Sequence, residues 1–116
     1  MTEDYGFEIG FYESILIQTP EDERVIELLA QLYTKANRLE DGLQMDLRLS
    51  RLRPRDGTVR YNLCCSLALT GKTEEALRAL EQALELGYRD IHWMLQDPDL
   101  ESLHQHPSFR KLIGEA

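Results

Sequence analysis

Residues 57–88 read GTVRYNLCCSLALTGKTEEALRALEQALELGY, and the fold is decided there. In the first half Leu63, Cys64 and Leu67 share one helical face; in the second, Ala76, Leu80, Ala83 and Leu84 recur at i, i+4, i+7 and i+8. Gly71 interrupts the two periods, so the stretch is a pair of facing helices joined by a tight turn. Thr73 is the expected cap of the second helix, Glu74 and Glu75 put negative charge in its first turn, and Gly87 ends it. The first helix is apolar nearly all round, with Val59, Leu63, Cys64 and Leu67 on one stripe and Tyr61, Cys65 and Leu69 on another. Such a helix is either buried on several sides or lines an apolar groove.

The same arrangement lies 34 residues upstream. Shifting the chain by that amount lays Leu29 on Leu63, Ala30 on Cys64, Tyr33 on Leu67, Asn37 on Gly71, Gly42 on Ala76, Leu43 on Leu77 and Leu52 on Leu86. A helix–turn–helix of this period, small residues where helices approach and large ones between, resembles the tetratricopeptide repeat. The resemblance implies an all-α fold of antiparallel helical hairpins stacked as a short right-handed solenoid, in a single domain over residues 1–116. Its parts are a half repeat or cap helix at 7–20, a first repeat at 21–54, a second at 55–88 and closing tail helices at 89–116. Ile26, Leu29, Ala30, Tyr33, Gly42 and Pro54 fit the family pattern, whereas Asp46, Arg60 and Tyr88 depart from it. For Asp46 two resolutions are open: Met45 and Leu49 fill the space instead, or the carboxylate meets Arg48 or Arg51.

Taken in order, residues 1–6 are expected to fray, and Phe7, Phe11 and Ile15 with Ile9, Tyr12 and Leu16 draw two stripes on an N-terminal helix. Thr19 is the expected cap of the next helix, with Pro20 at its first position and Glu21, Asp22 and Glu23 in its first turn. Asn37 suits a left-handed stop, and the partner helix runs from Leu39 to Arg53. In the tail, Asp97-Pro98 and His106-Pro107 are two short-helix starts, and Trp93, Leu95, Leu100, Leu103, Phe109, Leu112 and Ile113 supply apolar area to cover the last repeat. This order resembles the closing segment that follows repeats of the family and is expected to seal the array at this end.

Composition narrows the function. Thirteen basic against 21 acidic residues give a formal charge of −8, which disfavours nucleic acid and anionic membrane alike, since both need clustered Lys and Arg. No apolar run approaches the ~18 residues of a membrane span, and the start MTEDYGFEIG lacks the order of a signal peptide, so the cytoplasm is the expected location. Cys64 and Cys65 are adjacent on a helix, about 100° apart, and cannot meet in ordinary disulfide geometry; they are expected to be free thiols. Arg48, Arg51, Arg53, Arg55 and Arg60 cluster where one helix ends and the next begins, as dipole partners or as a patch for an acidic ligand.

Catalytic chemistry finds little to stand on. There is no Gly-rich phosphate loop and no nucleophile elbow, and a Cys65 nucleophile with His92 as base can only be drawn across a long separation. His92, His104 and His106 lie among Asp97, Asp99 and Glu101, but without the i, i+4 spacing of a helical metal pair. No enzyme, no metal and no cofactor are therefore expected.

The resemblance implies instead a protein- or peptide-binding adaptor that uses the concave face. The positions that map there are Arg24, Glu27, Gln31 and Lys35, then Thr58, Tyr61, Asn62, Cys65 and Leu69. The alternative for Tyr61, Cys65 and Leu69 is that the tail covers them. Family members that clasp chaperone C-terminal carboxylates use Lys, Asn, Asn, Lys and Arg; the matching positions here are Glu27, Gln31, Asn62, His92 and Gln96, so such tails are not expected as ligands. The second function class is a self-assembling homo-oligomeric module with no separate ligand.

Overall fold

Asp22 and Asp56, 34 residues apart, open two helices by the same device. Each has extended backbone and accepts, on Oδ1, the amide protons two and three residues on: Arg24 and Val25 at 3.1 and 3.2 Å, Thr58 and Val59 at 3.0 and 3.2 Å. These details come from a computed structural model, which describes residues 4–114 and contains no strand among them. The fold is all-α, its helices packed in neighbouring pairs as antiparallel hairpins. The chain divides into two compact units, Met1–Pro54 and Arg55–Ala116.

The first unit holds α1 (Gly6–Gln18), α2 (Glu23–Lys35) and α3 (Leu39–Leu52), with α2 packed on both neighbours. Of the stretch at 1–6 expected to fray, residues 1–3 lie outside the described residues, and α1 begins at Gly6. Ile9 and Leu16 of α1, Ile26, Leu29, Ala30 and Tyr33 of α2, and Leu43, Met45 and Leu49 of α3 make the core. Asp46 is itself buried, and Met45 and Leu49 fill apolar space on either side of it in sequence.

The second unit holds α4 (Gly57–Leu69), α5 (Thr73–Glu85), α6 (Ile91–Gln96), a 3₁₀ helix (Pro98–Leu103) and α7 (Pro107–Leu112). The 3₁₀ helix lies against α4 and α6, and α7 lies against α5. Ala76 and Ala83, both fully buried, let α4 and α5 approach closely, and Met94, Leu100, Leu103 and Phe109 of the tail are fully buried too. On α4 every residue from Tyr61 to Ala68 except Asn62 is buried, so this helix is surrounded rather than amphipathic.

The turns repeat with the helices. After α2, Asn37 takes φ 61° while the Arg38 and Asn37 amides bond the carbonyls of Tyr33 and Thr34; after α4, Gly71 takes φ 77° while Lys72 and Gly71 bond those of Leu67 and Ala68. The two helix starts expected at threonines are corrected. Thr19 closes α1, its hydroxyl donating to the Ile15 carbonyl at 3.0 Å, because a residue before proline is pushed out of helical geometry. Pro20 accordingly lies in the turn before Asp22, and Thr73 is the first helical residue of α5 behind Lys72, with no side-chain cap.

Candidate functional site

Two surfaces bear on function: the outward stripe of the first helix in each hairpin, and the face of α4 beneath the tail. On α2 the residues left out of the core recur at i, i+4, i+7 and i+11, as Arg24, Leu28, Gln31 and Lys35, all exposed. Glu27 beside them is half-buried and ion-paired with Arg53 at 3.2 Å, and Arg53 also holds Glu23 at 2.5 Å. The arginine cluster is thus partly used inside the first unit: Arg53 binds two carboxylates, and Arg48 donates to the Pro20 carbonyl at 2.6 Å. On α4, Thr58 and Asn62 are exposed one turn apart and Leu69 is half-buried.

Tyr61 and Cys65 are corrected as groove residues. Tyr61 is 3% exposed, its ring stacked on Tyr88 at 4.3 Å between centroids, and its hydroxyl donates to Asp97 Oδ2 at 2.6 Å. The Cys65 thiol, 8% exposed, donates to the same oxygen at 3.6 Å. Asp97 is 4% exposed and caps the 3₁₀ helix by accepting the Asp99 amide on Oδ1 at 2.9 Å. The tail therefore covers this stripe of α4 and fastens to it through one buried carboxylate. The sequence marks Asp97 as a helix start through the following proline, but gives no sign of its partner Tyr61, 36 residues earlier.

Cys65, Asp97 and Asp99 bring one ligand atom each within 4.8 Å of one another, a thiol-and-carboxylate set that could be considered for a cation. Both Asp97 oxygens already accept hydrogen bonds, and burial beside the Asp97 charge pushes the Cys65 thiol far above its ordinary range. Burial raises Cys64 as well, to about 12. Both thiols hold their protons at neutral pH, whereas a thiolate is the nucleophilic form. The arrangement ties the tail to α4.

The three histidines are engaged separately: His92 with Gln96 at 3.2 Å, His104 with the Met94 carbonyl at 3.1 Å, and His106 as the cap of α7, accepting the Ser108 amide at 3.1 Å. His92 is exposed on α6 while Cys65 is buried against Asp97, so each has a different partner. Among the described residues no helix is long and apolar enough to cross a membrane.

The chain is similar to a curated protein of Arabidopsis thaliana whose name describes it as chloroplastic, 31% identical over 86 residues, which is 72% of this chain and 26% of that protein. It thus spans about a quarter of the length of the curated relative it matches. No family model matches the chain, and no solved structure does.

Proposed function

We propose that the chain is a non-catalytic binding module of the tetratricopeptide-repeat type, taking a protein or peptide on the exposed stripe of α2 or on the exposed positions of α4. The observation that carries this reading is the repetition, 34 residues apart, of an aspartate cap, a first helix, a left-handed turn and a second helix. A hairpin of this kind buries one side of α2 and leaves the other unspent, whereas on α4 only Thr58 and Asn62 stay exposed. On α2 that side offers a leucine between two cations with Gln31, chemistry that suits an extended or helical peptide bearing apolar and acidic groups. Thr58 and Asn62 are the corresponding polar positions on α4. The ligand reading no longer draws on Tyr61 or Cys65.

Glu27, even paired with Arg53, puts a carboxylate where a chaperone tail would need a cation, so such tails fall outside the proposed ligands. A reducing, aqueous compartment suits two unpaired cysteines. The cytoplasm is the compartment proposed, and the relative's chloroplastic name makes the chloroplast the comparison in a fluorescent-fusion experiment.

The test is a displayed random-peptide library panned against the whole chain, with the Arg24→Ala/Lys35→Ala double variant and Asn62→Ala as counter-screens. Peptides that bind the parent should lose about tenfold in affinity on at least one variant, with helical circular dichroism and melting unchanged. Peptides that bind every variant equally well would overturn the assignment of the stripes.

A further inference from the structure

We propose that the outer face of α1 docks an amphipathic helix of another protein whose polar rim is basic. The helix has two apolar sides. Ile9 and Leu16, 3% and 9% exposed, belong to the core of the first unit. Opposite them Phe7 is 85% exposed, Phe11 53% and Ile17 80%. Phe7, Gly10, Phe11, Ser14, Ile17 and Gln18 follow one another at i, i+3, i+4, i+7, i+10 and i+11, an arc of about 120° on the helix and the spacing of a seam that receives a second helix. All six are exposed. A Cβ built at Gly10 would meet nothing within 4 Å, so between the two phenylalanines and Ile17 the backbone lies open to close approach.

Charge selects the occupant. Exposed Asp4 and Glu8 border the apolar arc and α1 itself carries no lysine or arginine, while on the other border Glu13 is already engaged by Tyr33 and Arg38. A second copy of α1 on this face would set carboxylates against carboxylates, and an anionic bilayer would be repelled in the same way. A helix with leucine-like residues along one side and lysine or arginine beside them satisfies both the seam and its acidic border. This surface is separate from the stripes of α2 and α4, and the inference does not rest on them.

The test uses a three-heptad model peptide with leucine at the a and d positions and lysine at e and g, titrated against the whole chain by calorimetry. Its controls are a scrambled peptide of the same composition and a version with glutamate in place of lysine. The heptad peptide should bind, with the scrambled and glutamate peptides at least about tenfold weaker. Phe7→Glu/Ile17→Glu should weaken the heptad peptide by at least about tenfold while Asn62→Ala leaves it unchanged. The added glutamates would strengthen a purely electrostatic attraction to lysine, so their weakening of the complex isolates the apolar seam. Phe7→Ser/Ile17→Ser, which adds no charge, should act in the same direction, and the high exposure of both positions keeps the fold intact. Failure of the heptad peptide to bind, equal binding of the scrambled peptide, or undiminished binding by the double variants would each overturn the proposal. So would self-association that the double variants abolish, since the occupant would then be a second copy.

Discussion

Asp97 accepts three hydrogen bonds while almost wholly removed from water, and two of its donors sit on a helix far away in sequence. Removing a buried carboxylate strands its donors, so Asp97→Ala should cost about 3 kcal/mol in urea denaturation. Tyr61→Phe removes one donor and leaves the carboxylate its other two, and should cost about 1–2 kcal/mol. An Asp97→Ala chain as stable as the parent would show that the tail is held by apolar burial alone. Buried acids set the response to alkali. Burial raises Cys64 from 9.0 to about 12, and burial with the Glu13 hydrogen bond raises Tyr33 from 10.0 to about 12, while Tyr61 and Cys65 shift upward further. Because the folded values lie above the unfolded ones, the unfolded chain loses these protons first as pH rises. Their contribution to stability is therefore complete below about pH 9 and is lost as pH climbs from there through about 12. Tyrosinate absorbance of these buried rings should appear together with the loss of helical circular dichroism; ionisation well ahead of unfolding would contradict the burial.

Among the elements, the two equivalent helix starts offer the sharpest comparison. Asp22→Ala and Asp56→Ala should each cost about 1 kcal/mol, while Thr73→Ala should cost much less, having no cap bond to lose. Thermal melts of the three variants check the order. Sequence pattern placed both helices but chose the wrong cap at α2 and α5. At α2 both Thr19 and Asp22 suit the position, and the choice between them depends on where Pro20 lets the chain turn; at α5 no proline intervenes, and Thr73 is already helical behind Lys72. The left-handed stops were open to reading because few residues accept positive φ. Gly71→Ala, at φ 77°, should lose about 1–2 kcal/mol, whereas Asn37→Gly, at φ 61°, should gain a fraction of that.

At the scale of the molecule, the division at Pro54 falls between the two hairpins. The second unit closes its own core, with α7 on α5 and the 3₁₀ helix on α4, so Arg55–Ala116 expressed alone should melt cooperatively with helical circular dichroism. Asp97→Ala within that fragment should abolish the cooperative melt, since a chain this short has little stability to spare. A fragment that stays unfolded in both forms would mean that the second unit depends on the first.

Helical period, turn residues and the 34-residue repeat follow from local chemistry, and a single chain displays them without coordinates. They establish which helices form, where they stop, and that Ala76 and Ala83 lie inside. Periodicity reports that one side of a helix is apolar; it says nothing of what packs there. The second stripe of α4 and the outer stripe of α1 look alike in sequence, yet the first is closed by a tail anchored 36 residues away while the second stands in water. Burial is a property of surfaces brought together by the folded chain, and it separates a tyrosine that locks the tail from a phenylalanine free to meet a partner.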